Sequence, residues 1–116
     1  MSQSEMKVDA DGSKHWYLNG KRHREDGPAI EYANGTKCWY LNGKWHREDG
    51  PAIEDADGTK EWYLNGELHR EDGPAIEDAD GIKCWYLNGN RVSWQEVFKN
   101  AKTQEQEVRI LCYVST

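Results

Sequence analysis

No stretch of the sequence is apolar for long enough to span a bilayer, and its start lacks the pattern of a secretory leader. These absences point to a soluble, cytoplasmic chain without a membrane partner. Basic charge is also scarce: 15 Lys and Arg stand against 21 Asp and Glu, a formal net charge of −6. Nucleic-acid-binding domains present a basic face, so direct nucleic-acid binding is not expected, and contact with anionic lipid is disfavoured. Cysteine occurs three times, at Cys38, Cys84 and Cys112, an odd number without metal-ligand spacing. Hydrophobic residues make up 36% of the chain, below the usual share for compact domains, so the core must be thin. Phe occurs once against six Trp and six Tyr, which leaves apolar burial to amphipathic aromatics. An acidic chain is suited to docking on a basic protein surface, where charge steers association.

What is present in abundance is repetition. Residues 9–31 read DADGSKHWYLNGKRHREDGPAIE, 32–54 read YANGTKCWYLNGKWHREDGPAIE, and 55–77 read DADGTKEWYLNGELHREDGPAIE. A fourth unit begins at residue 78 as DADGIKCWYLNGN and then departs as RVSWQEVFKN. Four units in register, without insertions, predict an open stack rather than a globule with one enclosed pocket. The chain therefore divides into an N-terminal tail (1–8), four 23-residue repeats with the last truncated (9–92), and a C-terminal cap (93–116).

Each unit carries two turn signals. Asn-Gly recurs at 19–20, 42–43, 65–66 and 88–89, and Asn34–Gly35 and Asp57–Gly58 mark a second series. Such dipeptides suit two-residue type I′ turns, whose central residues both need positive φ. The predicted fold is mostly β: an open, single-layer antiparallel sheet of stacked 23-residue hairpin repeats with a C-terminal helical cap. Two-residue turns at both places set Ile30 opposite Trp39, Tyr40 opposite Trp45 and Trp39 opposite His46. The segment Glu48–Pro51 must then bend, as its Gly and Pro allow.

Trp16, Trp39, Trp62 and Trp85 hold one column, and His23, His46 and His69 another. Both columns read as what each unit needs in order to stack. The column of Trp45 varies instead, as Arg22, Trp45, Leu68 and Arg91, so a partner surface is expected on the Tyr40 side, with Trp45 as a candidate. In the last segment Ser93 and Glu96 match a capping box, and Trp94, Val97, Phe98 and Ala101 share one helical face. The following residues, 103–116, fit a helix or a strand equally. This segment would cover the last unit's edge and could also serve as a dimerisation surface.

A 23-residue period with W-x-x-NG-K-x-H and a later DG resembles MORN repeats, and most closely their bacterial and phage variants with WYLNGKxHREDGPA units. The resemblance covers residues 9–92. HREDGPA stands where the family has a simpler His-Gly-x-Gly, and the turn spacing differs, so the strand register is not transferred. The resemblance implies twisted antiparallel hairpins, a non-enzymatic role in protein or lipid contact, and a phage product acting on host machinery.

The HRED sets could suggest acid–base or metal chemistry. They recur three times in register without a recurrent nucleophile, and successive units should lie roughly 10 Å apart at ~4.8 Å per strand. Zn–N bonds are about 2 Å, so three His at that spacing cannot share an ion. The expectation is structural: His beside Trp, and Arg of one unit paired with a carboxylate of the next. Cys38 and Cys84 fall roughly 20 Å apart by the same spacing, beyond the reach of a disulfide. No cofactor, metal site or catalytic residue is assigned.

Two functions are expected to compete. One is an acidic protein-binding module, an inhibitor of a bacterial nucleic-acid-handling or defence enzyme of the anti-CRISPR kind. Its contact residues would be Glu48, Asp49, Glu54, Asp55, Asp57, Glu71, Asp72, Glu77, Asp78 and Asp80, competing with phosphates for Lys and Arg. The other is a binder of a nucleotide signal, which would stack on Trp and Tyr and pair with Arg. A structural adaptor is the third possibility.

Overall fold

The computed structural model describes residues 4–115. It is a twisted, open antiparallel array, 44 × 32 × 22 Å, closed at its C-terminal end by two helices. The sheet begins with β1 (Glu5–Val8). The first unit adds β2 (Lys14–Leu18), β3 (Lys21–Arg22) and β4 (Ile30–Glu31). The second adds β5 (Lys37–Cys38), β6 (Tyr40–Leu41), β7 (Lys44–Trp45) and β8 (Ile53–Glu54). The third repeats that pattern as β9 (Lys60–Glu61), β10 (Tyr63–Leu64), β11 (Glu67–Leu68) and β12 (Ile76–Glu77), and the fourth gives β13 (Lys83–Leu87) and β14 (Asn90–Val92). Helices α1 (Trp94–Lys99) and α2 (Gln104–Val114) follow. The segment assigned to a tail is therefore partly structured: β1 pairs with β2, Met6 opposite Trp16. Residues 1–3 of that tail lie outside the described residues.

The Asn-Gly turns behave as their chemistry requires. Asn42 has φ 52° and Gly43 φ 81°, with Leu41 opposite Lys44 and Tyr40 opposite Trp45, a two-residue type I′ hairpin. The second series departs from expectation. At Asn34–Gly35 only the Gly has positive φ, at 96°. The Gly35 N–H donates to the Tyr32 carbonyl, and the Tyr32 N–H to that of Thr36. Three residues thus form the loop, with glycine in the left-handed position of a bulge.

That extra residue moves the register by one. Ile30 lies opposite Cys38 and not Trp39, and Cys38 also faces Ile53. A slip of one residue transfers a side chain to the other face. Ile30, Cys38 and Ile53 therefore belong with Tyr40 and Trp45, while the Trp39 face is lined from the HREDGP segment. The expected Ile30–Trp39 pairing is corrected accordingly.

The units are joined by a repeating set of bonds. At one end of the strands, Ser13 Oγ accepts from the Ala33 N–H, Thr36 Oγ1 from Ala56 and Thr59 Oγ1 from Ala79. At the other end, the Gly43 N–H donates to the Arg22 carbonyl, Gly66 to Trp45 and Gly89 to Leu68. The core is thin, as the composition requires. It holds Ala29, Ala52 and Ala75 in one column with Ile30 and Cys38, and Val97 and Ile110 in the cap.

Candidate functional site

The HRED segment turns away from each hairpin and folds over its own unit's Trp. In the second unit the Arg47 guanidinium lies 3.8 Å from the centre of the Trp39 ring. Its Nε donates to Asp49 at 3.0 Å, and one terminal nitrogen to the Pro51 carbonyl at 3.1 Å and to Glu54 at 2.7 Å. Arg24 repeats this over Trp16 with Asp26, Pro28 and Glu31, and Arg70 over Trp62 with Asp72, Pro74 and Glu77. Every one of these pairs is within a unit, which corrects the expected ladder between units. The planar fork of Arg, stacked on one side and bonded along its edge, is what makes the clamp.

His supplies the link that the Arg does not. The backbone N–H of Asn42 donates to His23 Nδ1 at 2.9 Å, Asn65 to His46, and Asn88 to His69. An Nδ1 that accepts an amide proton fixes the neutral ring as the Nε2–H tautomer. That Nε2 then faces Glu25 at 3.4 Å, Glu48 at 3.2 Å or Glu71 at 3.2 Å. Both ring nitrogens are engaged, one of them in holding the next unit's Asn-Gly turn. In the fourth unit Val92, opposite Trp85, takes the place of the His.

Between successive units the Trp face forms a series of equivalent grooves. The first, about 580 Å³, runs between Arg24, Gly27 and Pro28 on one wall and Trp39 and Leu41 on the other. The second, about 770 Å³, runs between Arg47, Gly50, Pro51 and Trp62, with Gln106 and Arg109 of α2 at its margin. In the third position the chain fills the groove itself. Tyr113 meets Trp85 edge-on at 6.4 Å, its hydroxyl accepts from Arg70 at 2.9 Å, and that guanidinium lies 5.0 Å from its ring. A Cβ at Gly73 would lie 2.7 Å from the Arg70 guanidinium carbon and 2.8 Å from Tyr113, so the glycine serves both the clamp and the Tyr ring. One helical turn earlier Arg109 donates to Asp72 at 3.0 Å, and Lys102 reaches Glu71 at 3.3 Å.

This cap divides the candidate carboxylates into groups. Glu71 and Asp72 are 32% and 26% exposed, whereas Glu48 and Asp49, their equivalents one unit earlier, are 82% and 89% exposed. Partial burial alone would raise the Asp72 carboxyl, but hydrogen bonds from Arg70 and Arg109, with their charges, hold it below its ordinary value. Glu71 is likewise lowered: bonds from His69 and Lys102 outweigh its desolvation. Glu54 and Glu77 are spent on the Arg47 and Arg70 clamps. Asp55, Asp57, Asp78 and Asp80 lie in the loops at the opposite end of the strands. There Asp57 accepts from the Thr59 N–H and Asp78 from that of Asp80.

Glu25 and Asp26, absent from the candidates named on sequence grounds, are 74% and 89% exposed and belong beside Glu48 and Asp49. Their identity with the later copies was the signal that could have included them. Trp45 sits half-buried on the other face, between Tyr40 at 5.9 Å and Tyr63 at 4.9 Å. The helical cap leaves Val108, Leu111 and Val114 exposed.

Among the described residues no group of three or more His, Cys, Asp or Glu is arranged to hold a metal ion, and no helix is long and apolar enough to cross a membrane. Cys38, Cys84 and Cys112 are free thiols. No protein-family model matches the chain, and no curated protein or solved structure was found to match it.

Proposed function

We propose that the chain is a non-enzymatic, MORN-like repeat module that binds a protein through the acidic, Trp-lined face of its first two units. The supporting observation is the pair of exposed carboxylate couples, Glu25–Asp26 and Glu48–Asp49, repeated in register beside open grooves. Each couple is held in place by the His and Arg that it bonds, so the negative charge is preorganised at small entropic cost on binding. Spaced two strands apart, roughly 10 Å, the couples match a basic surface that would otherwise receive a nucleic-acid backbone. A nucleic-acid-handling or defence enzyme of a bacterial host, inhibited by a phage product, is the partner class that this chemistry and the repeat resemblance favour together.

The test is affinity capture from bacterial lysate, with the intact chain and a variant carrying Glu25→Gln, Asp26→Asn, Glu48→Gln and Asp49→Asn as baits. Capture of one nucleic-acid-binding enzyme by the first bait only, weakening steeply as salt rises, is the expected result. Equal capture by both baits would remove the acidic face from the interface. Glu71 and Asp72 are left unchanged because their loss would release the cap.

A further inference from the structure

Helix α2 is seated on the third unit in a way that prescribes what the first two units can hold. Its Arg109 and Tyr113, four residues apart, project from one side of the helix. Tyr113 enters a pocket made by Arg70, Gly73 and Trp85, and Arg109 meets the outward oxygen of Asp72. The same walls recur as Arg24, Gly27 and Trp39, and again as Arg47, Gly50 and Trp62. Their acceptors recur as Asp26 and Asp49, each exposed where Asp72 is covered. The Arg side chains follow the same rule: Arg24 and Arg47 are 22% exposed and Arg70, under the cap, 10%.

We infer that the two open grooves are docking sites for helices of the partner, each presenting an Arg and, one turn later, a Tyr, in the manner of α2. Three observations carry the inference. The chain's own helix already occupies the third copy of the groove. The glycine beside the Tyr ring recurs as Gly27 and Gly50, where a Cβ would already crowd the Arg24 and Arg47 guanidinium groups, so the clamp keeps the same opening in each groove. Asp26 and Asp49 meet Arg24 and Arg47 through one carboxylate oxygen each and are 89% exposed. In the third unit it is the other oxygen of Asp72 that receives Arg109, so the exposed charge has the sign that an Arg on the incoming helix requires. The spacing fits as well. Successive grooves lie roughly 10 Å apart, close to the 8–10 Å at which helices pack side by side. A helix in the second groove would therefore lie against the flank of α2, where Gln106 and Arg109 line the margin. Tyr supplies a rigid aromatic anchor with a hydroxyl for the stacked guanidinium, and Arg supplies the charge, both residue types that concentrate binding energy at interfaces.

The inference rests on the protein-binding reading and names the shape and chemistry of the partner. It is tested with a peptide of residues 102–115, with Cys112→Ser to prevent oxidation. A lactam between Gln104→Glu and Val108→Lys, both exposed positions, holds it helical, since isolated helices of this length are marginal. Titration into the full-length, isotopically labelled chain is followed by the resonances of the Trp39 and Trp62 indoles and the Gly27 and Gly50 amides. Saturable shifts at these groups are expected. They should weaken roughly tenfold or more for peptides carrying Tyr113→Ala or Arg109→Ala, and for a chain carrying Asp26→Asn and Asp49→Asn.

No saturable shift up to ~1 mM peptide, a Kd too weak for a specific site, would overturn the inference. So would equal binding by the Tyr113→Ala peptide, or shifts confined to the Tyr40 and Trp45 face. The peptide variants alone decide the question should the chain variant not fold. A chain that captures a basic enzyme yet ignores the peptide would retain the module and lose the helix docking. A chain that binds the peptide but captures no enzyme would do the reverse.

Discussion

The Arg–Trp clamp makes a quantitative prediction through Arg47→Ala. The side chain is 22% exposed and stacks 3.8 Å over Trp39, so its cation–π contribution is about 1 kcal/mol, between the exposed and desolvated limits. Bonds to the Pro51 carbonyl and to Glu54 involve a charged donor but half-exposed surroundings. Together they are worth about 1 kcal/mol once solvent screening is allowed for. Asp49 is 89% exposed, and its pairing adds at most about 0.5 kcal/mol. The sum, about 2–2.5 kcal/mol, corresponds to a fall of roughly 8–10 °C in the thermal midpoint for a chain of this size. Arg47→Lys keeps the charge but loses the plane and the fork, and should recover less than half of the loss. Arg24→Ala should match Arg47→Ala. Arg70→Ala should cost more, because it also abandons the Tyr113 hydroxyl. Differential scanning calorimetry of the four variants is the assay. An Arg47→Lys protein that melts with the wild type would refute the reasoning, as would an Arg70→Ala protein less affected than Arg47→Ala.

Three further outcomes are expected. Glu71 and Asp72 are lowered from ordinary values of 4.5 and 3.8, so the stability that they lend to the cap is complete above the unfolded values. It is lost as pH falls through 4.5 and then 3.8 to the folded values. The amide protection factors of α2, taken relative to the intrinsic rate at each pH, should fall in that window while those of the strands hold. Protection factors in α2 that do not change with pH would contradict the ion pairs. Cys38 is buried, and desolvation first, then Asp55 and Glu61, push its thiol up to about 11. A thiol reagent at pH 8 should therefore modify exposed Cys112 well before Cys38, and equal rates would deny the packing of Cys38 against Ile30 and Ile53. Asn42→Ala keeps a β-carbon at φ 52° but removes the short polar side chain that lets Asn tolerate the left-handed region, for a loss of about 1 kcal/mol, whereas Asn42→Gly should be tolerated. Chemical denaturation of both distinguishes turn strain from lost side-chain contacts.

Much of this fold was legible in the letters because its information is local and repeated. Asn42–Gly43 named both turn and register, and Ser93 with Glu96 named the start of α1, where Ser93 accepts from the Glu96 N–H. Asn34–Gly35 misled because its dipeptide also suits a three-residue loop, in which Gly alone needs positive φ. One residue of loop length was enough to carry Ile30 to the other face. The strand at Glu5–Val8 has all four residues exposed, and so no burial pattern to announce it. In α2 only Ile110 is buried, while Val108, Leu111 and Val114 are exposed; the apolar run therefore could not distinguish helix from strand. The pairing of Arg70 with Tyr113 spans 43 residues and joins a repeat to the non-repetitive tail. No comparison among the copies could have revealed it, yet it is the contact that gives the grooves their meaning.

The hydroxyl links at Ser13, Thr36 and Thr59 stop at Ile82, which is exposed and has no following loop to hold. Together with the His–Asn and Gly–carbonyl bonds, they make every junction in the array interchangeable, while β1 and the helices act as fixed end fittings. An in-frame duplication of residues 32–54 would meet compatible bonding partners on both sides and lengthen the array by roughly 10 Å. Reach thus becomes a quantity that tandem duplication can adjust one notch at a time, and the number of units sets the gauge of the surface that the molecule can span.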